Sequence, residues 1–100
     1  MACFIINEKV YDTEKMTLVG HVQKWYEFKG WLLQQMFGKG VGRMEECDLY
    51  RSTKGNYLLV YYGGNDKYIG EAITAAEAKS LLMQYDYENY IKLFGELEEA

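Results

Sequence analysis

The stretch CDLYRSTKGNYLLVYYGG, residues 47–64, sets the architecture of this chain. Two runs rich in Leu, Val and Tyr, residues 47–52 and 57–62, suit a pleated and half-buried surface. Between them Thr53-Lys54-Gly55-Asn56 is turn chemistry, because Gly55 and Asn56 tolerate the positive φ angles of a tight connection. Gly63-Gly64 ends the second run. The pattern predicts an antiparallel hairpin. It specifies a shape and brings no catalytic or metal-binding signature with it.

Upstream, Phe4-Ile5-Ile6 and Lys9-Val10-Tyr11 flank Asn7-Glu8 as a second, smaller hairpin, and Asp12-Thr13-Glu14-Lys15 is a polar break. Residues 16–26 alternate in part, with Met16, Leu18, Gly20 and Val22 on one side and Thr17, Val19, His21 and Gln23 on the other. That reads as a strand, in which Gly20 marks a bulge or a close backbone approach. Residues 25–37 fit two patterns, since Trp25, Phe28, Trp31, Leu32, Met36 and Phe37 also match helical spacing. The helix-favouring run Leu32-Leu33-Gln34-Gln35-Met36, stopped by Gly38-Lys39-Gly40-Val41-Gly42, favours a short helix over residues 31–37 followed by a loop.

Downstream, Asn65-Asp66 is a turn and residues 67–73 a further strand. Thr74 then caps a helix: its hydroxyl can accept from an unpaired amide, and Glu77, three residues on, completes a capping box. Ala75, Ala78, Leu81, Leu82 and Tyr85 form the stripe that packs on the sheet. Asp86-Tyr87 interrupts it, and a second helical segment from about Glu88 places Tyr90, Ile91, Phe94 and Leu97 on one side. The expected fold is a single α+β domain, residues 1–100: a small antiparallel sheet centred on the 47–62 hairpin, with one or two C-terminal helices on one face.

One hundred residues with 49% hydrophobic content suffice for one core without a metal or disulfide staple. Cys3 and Cys47 have no CxxC partner and no nearby His, so they read as buried free thiols. No apolar run approaches the length of a membrane span, which leads to the expectation of a soluble, cytoplasmic protein. Net charge is −4, unevenly spread: residues 1–70 carry nine Lys/Arg against eight Asp/Glu, and residues 71–100 carry two against seven. Such a balance disfavours a nonspecific nucleic-acid binder, which needs clustered Lys and Arg, and suits a basic partner surface.

Candidate chemistry is thin. His21, the one histidine, could pair with Glu45, Glu46, Cys47 or Asp48 for acid-base or thiolate chemistry, although nothing in the spacing requires that they meet. Glu45-Glu46 are adjacent on a strand and point to opposite faces. The GxGxG spacing of Gly38, Gly40 and Gly42 lacks the further residues of a dinucleotide loop or a P-loop. No cofactor or metal is called for. Arg51 and Lys54 with Tyr57, Tyr61 and Tyr62 fit a protein-binding surface, since Tyr and Arg are favoured hot-spot residues.

The strings Lys9-Val10-Tyr11-Asp12-Thr13-Glu14 and Leu49-Tyr50-Arg51-Ser52-Thr53-Lys54-Gly55-Asn56-Tyr57-Leu58-Leu59, then Gly63-Gly64, Tyr68 and the helix of residues 74–82, resemble a family of small proteins common in Gram-positive phages and mobile elements. The likeness spans about two thirds of the chain. Tyr61-Tyr62 stand where that family often has Gly-Glu, and residues 24–42 are longer and more aromatic than usual. The resemblance implies a non-enzymatic protein in the host bacterial cytoplasm that binds, and inhibits, a host defence nucleoprotein complex of the CRISPR type. Carboxylates would oppose the Lys and Arg that normally meet phosphates. The contact residues on this reading are Trp31, Arg51, Tyr57, Tyr61, Tyr62, Glu88, Glu96, Glu98 and Glu99, with no direct nucleic-acid contact and no membrane. The alternative is a small ligand-binding domain or enzyme using His21, Cys47 and the loop of Gly38 to Gly42. A sheet edge also offers a route to a homodimer.

Overall fold

The computed structural model describes residues 3–27, 32, 35, 36, 38, 40–64 and 66–96. Among these, six strands, a short 3-10 turn at Thr13–Lys15 between β2 and β3, and two longer helices follow in order: β1 (Cys3–Ile6), β2 (Lys9–Asp12), β3 (Thr17–Glu27), β4 (Gly42–Arg51), β5 (Tyr57–Gly64), β6 (Lys67–Ile73), α1 (Ala75–Tyr85) and α2 (Tyr87–Phe94). β1 and β2 pair as a separate hairpin, and β3-β4-β5-β6 form an antiparallel sheet in chain order. The fold is α+β.

The central hairpin closes through local bonds. Ser52 N–H donates to Asn56 O (2.8 Å), Gly55 N–H to Ser52 O (3.0 Å), and the Ser52 hydroxyl accepts from Asn56 N–H (3.0 Å). Gly55 takes the left-handed conformation at φ +84°, whereas Asn56 does not. In the N-terminal turn Asn7 and Glu8 both adopt positive φ, as a two-residue connection requires. The Gly63-Gly64 pair ends β5, with a register shift between Tyr62 and Gly64 where Gly64 meets Lys67.

Three expectations need correction. First, β3 extends to Glu27 and β4 starts at Gly42, pairing Trp25 with Met44 and Tyr26 with Arg43. Cross-strand pairing therefore overrides the helical spacing at residues 25–27. Leu32, Gln35 and Met36 are helical, and the remainder of the predicted 31–37 helix, Trp31 and Phe37 included, lies outside the described residues. Second, Gly20 lies at a bulge as expected, but the register shift between Leu18 and Gly20 changes the phase of the alternation and hence the expected faces. Val19 joins Val22 on the helix side, and Leu18, on the other face, is exposed. Third, Cys3 is exposed while Cys47 is buried.

The sheet is covered on both faces. Against one face α1 and α2 pack Ala78, Leu82 and Tyr90 onto Val22, Cys47, Leu49, Tyr57 and Leu59. On the other, Tyr11, Phe4 and Ile6 of the small hairpin sit over Leu58 and Val60. Two glycines permit these approaches. A Cβ at Gly20 would stand 2.5 Å from Leu82 Cδ2, and one at Gly70 would meet the Phe4 ring at 2.7 Å.

Thr74 caps α1, its hydroxyl accepting from Glu77 N–H at 3.1 Å, but the Glu77 carboxylate turns to Lys24. Of the expected stripe, Ala78 and Leu82 are buried, whereas Ala75 and Tyr85 are exposed. Asp86 ends α1 and starts α2, and its carboxylate accepts from the backbone N–H of His21 (2.9 Å) and from the Asn89 side chain (2.8 Å). Those bonds outweigh desolvation and hold the Asp86 carboxyl below its usual range. They also occupy an amide on the outer strand beside its bulge.

Candidate functional site: an aromatic strip on the open sheet face

Each arm of the small hairpin is four residues long, so it covers only part of its face of the sheet. The uncovered part is fixed by strand alternation. His21, Gln23 and Trp25 of β3 stand opposite Asp48, Glu46 and Met44 of β4, and Tyr62 of β5 stands opposite Tyr68 of β6. Trp25 is 51% exposed, Met44 44%, Tyr62 48% and Tyr68 61%. Tyr62 and Tyr68 meet edge to face at 5.5 Å, and the Tyr62 hydroxyl accepts from Asp66 N–H at 3.0 Å. These contacts hold one aromatic pair in place before any partner arrives, which lowers the entropy lost on binding. His21 Nδ1 lies 2.7 Å from Asp48 Oδ1, the His21 side chain largely exposed and that of Asp48 about half. Around them is a hollow of about 440 Å³ lined by His21, Gln23, Glu46, Asp48, Tyr62 and Tyr68, among others.

The residues expected to form a binding surface do not come together. Tyr57 is 4% exposed and belongs to the core. Tyr61 is half-buried on the helix face, stacked on Tyr26 at 4.3 Å between ring centres. Tyr62 is exposed on the opposite face, and Arg51 is exposed at the turn end of the central hairpin. Glu88 lies exposed on α2 and Glu96 just beyond it, across the sheet from Tyr62. Trp31, Glu98 and Glu99 lie outside the described residues. Trp25, Met44 and Tyr68 were missed, and Glu46 and Asp48 were considered as partners of His21 rather than as part of a binding surface; of the two, Asp48 does meet it. The signal that could have found them is the alternation of residues 21–25 against 44–48, combined with a hairpin too short to cover both.

The helix face carries a polar cluster of a different kind. Lys24 Nζ donates to Glu71 (2.8 Å) and Glu77 (2.7 Å), and the Tyr26 hydroxyl donates to the same Glu71 oxygen (2.8 Å). β3 and β6 are the two outer strands, so these bonds tie the sheet's edges to each other and to α1. Burial opposes the charge on Lys24, but the two carboxylates prevail and raise its pKa. Burial, followed by the bond to Glu71, raises Tyr26, and burial raises Tyr61. Burial also pushes the Cys47 thiol up to about 11 despite the nearby Tyr26 hydroxyl.

Each of these folded-state values lies above the unfolded one. The stability they contribute is thus complete below the unfolded values and lost as pH rises through the folded ones. Cys47 leads, over the window from 9.0 to about 11. A urea-denaturation series is expected to show constant stability from pH 7 to 8.5 and then a steepening decline. Cys47→Ala should remove the first part of that decline, on the order of 2 kcal/mol; a profile identical to the parent's would contradict the assignment.

Geometry also bears on the other chemical candidates. Val22 pairs with Cys47 and His21 with Asp48, so the His21 and Cys47 side chains leave the sheet on opposite faces. The Gly40 amide donates to the Glu27 carboxylate at 2.9 Å. An amide occupied by a carboxylate is not offered to a phosphate. Glu45 is paired with Arg43 at 2.9 Å, and Glu46 is exposed on the other face. Among the described residues no group of three or more His, Cys, Asp or Glu gathers as a metal site, and no helix is long and apolar enough to cross a membrane.

No protein-family model matches the chain, and no curated protein or solved structure matches it either.

Proposed function

We propose that the chain is a non-enzymatic binding protein whose contact surface is the open half of the sheet, and that its partner is a host protein or nucleoprotein complex presenting Lys and Arg. The observation that carries this reading is the exposure of Trp25, Met44, Tyr62 and Tyr68 on one face, beside the exposed carboxylate of Glu46 and the half-exposed one of Asp48. Trp and Tyr are the residues most enriched at the energetic centres of interfaces, and Met is also over-represented there. Carboxylates beside them steer a cationic partner and disfavour a polyanionic one. The resemblance to phage and mobile-element proteins narrows the partner to a defence complex of CRISPR type, which the bound chain would inhibit.

The test compares three tagged proteins on nuclease-treated host lysate: the parent, Trp25→Ala/Tyr62→Ala, and Glu88→Ala/Glu96→Ala. The parent and the α2 variant should capture the same effector subunits, and the sheet variant should retain less than a tenth as much. Full retention by the sheet variant, or loss only in the α2 variant, would overturn the assignment of the surface.

A further inference from the structure

At the turn end of the molecule the small hairpin and the central hairpin enclose a cleft of about 810 Å³, separate from the aromatic strip. Val10, Tyr11 and Met16 give it an apolar wall, and Ser52, Thr53 and Asn56 give it a hydroxyl- and amide-bearing one. Three ammonium groups border it, those of Lys9, Lys15 and Lys54. Among the described residues, Lys24 and Arg43 form ion pairs with carboxylates, whereas Lys9, Lys15 and Lys54 form none. Among the described residues Asp12 is the one acid lining the cleft, and its carboxylate is engaged in accepting from Glu14 N–H at 3.0 Å. The lining thus carries +2 on a chain whose total is −4.

We infer that this cleft binds a nucleoside phosphate. Its volume falls within the range of small-molecule sites, and its composition divides as such a ligand does. The base meets the Val10 and Met16 side, where exposed apolar carbons and a polarizable thioether provide dispersion contacts beside the largely buried Tyr11 ring. The phosphates meet Lys9, Lys15 and Lys54, each a point charge on a flexible stem that can follow the anion. Ser52 and Asn56 are half-buried and placed for sugar hydroxyls. Free nucleotide and the phosphorylated end of an oligonucleotide share this chemistry.

The experiment is a titration of the isotopically labelled full chain, followed by the Met16 methyl and the Thr53, Lys54 and Asn56 amide NMR signals. The probes are ATP without added metal, adenosine, inorganic phosphate and a 5′-phosphorylated oligonucleotide. ATP or the oligonucleotide should move these signals in a saturable way, with adenosine and inorganic phosphate at least tenfold weaker, because each supplies only half of the contacts. Lys15→Ala/Lys54→Ala should weaken the tighter probe at least tenfold, and Lys92→Ala, on α2, should leave it unchanged. Tighter binding of ATP assigns the site to free nucleotide; tighter binding of the oligonucleotide assigns it to a strand end. Unmoved signals at millimolar ATP and oligonucleotide, or equal weakening by Lys92→Ala, would overturn the inference. Both lysines are exposed, so the variants should keep the parent's fold, checked by the unchanged Leu82 methyl signals.

Discussion

Leu82→Ala is expected to destabilise the protein by about 2–5 kcal/mol, and adding Gly20→Ala is expected to restore part of that loss. Leu82 is fully buried where α1 meets the sheet. Its Cδ2 atom comes within 2.5 Å of the position a Cβ on Gly20 would take, and Asp86 Oδ2 lies 3.1 Å from the same point. On its own, therefore, Gly20→Ala overpacks the contact and crowds the carboxylate that caps the outer strand, at a cost of about 1–3 kcal/mol. With Leu82 truncated, the new methyl has a cavity to enter. The two changes should couple by about 1–2 kcal/mol in urea denaturation. Simple additivity of the two single variants would show that the bulge glycine and Leu82 do not share one contact.

Gly70→Val should release the N-terminal hairpin from the sheet. The Phe4 ring lies on Gly70, with three of its atoms 2.7–2.9 Å from the point where a Cβ would stand, so any side chain there displaces it. Phe4, Ile6 and Tyr11 are the hairpin's anchors over Leu58 and Val60. The expected loss is about 1–3 kcal/mol from overpacking, with faster proteolysis at Asn7-Glu8. Signals of Leu82 and Tyr90, on the far side of the sheet, should stay in place. The variant should also lose the cleft, since the hairpin forms one of its walls. Protease resistance equal to the parent's would contradict this packing.

The elements legible in the sequence are those governed by local chemistry. Gly55 and the Ser52 hydroxyl close the central turn within five residues, and the Thr74 hydroxyl caps a helix three residues ahead. What escaped is non-local. The first half of β4, residues 42–46, exists because it pairs with residues 23–27, and nothing in the local pattern of Gly42-Arg43-Met44-Glu45-Glu46 marks it as a strand. The bonds of Lys24 to Glu71 and Glu77 span 47 and 53 residues, and the His21–Asp48 pair spans 27. Tyr61 and Tyr62 illustrate the limit for the candidate site. Adjacency on one strand already places them on opposite faces. Which of the two is covered depends on where the helices dock, a matter of tertiary packing. The acidic C-terminal segment was legible as a charge pattern, but Glu88 on α2 and Glu96 just beyond it lie across the sheet from the exposed aromatics.

Contact through the open sheet face is read most directly from the Trp25 indole and Met44 methyl NMR signals, recorded on the free chain and after addition of the captured complex. The expected result is broadening or displacement at Trp25, Met44, Tyr62 and Tyr68, with Glu88 and Glu96 unmoved. A footprint centred on α2, with the Trp25 and Met44 signals unchanged, would contradict it.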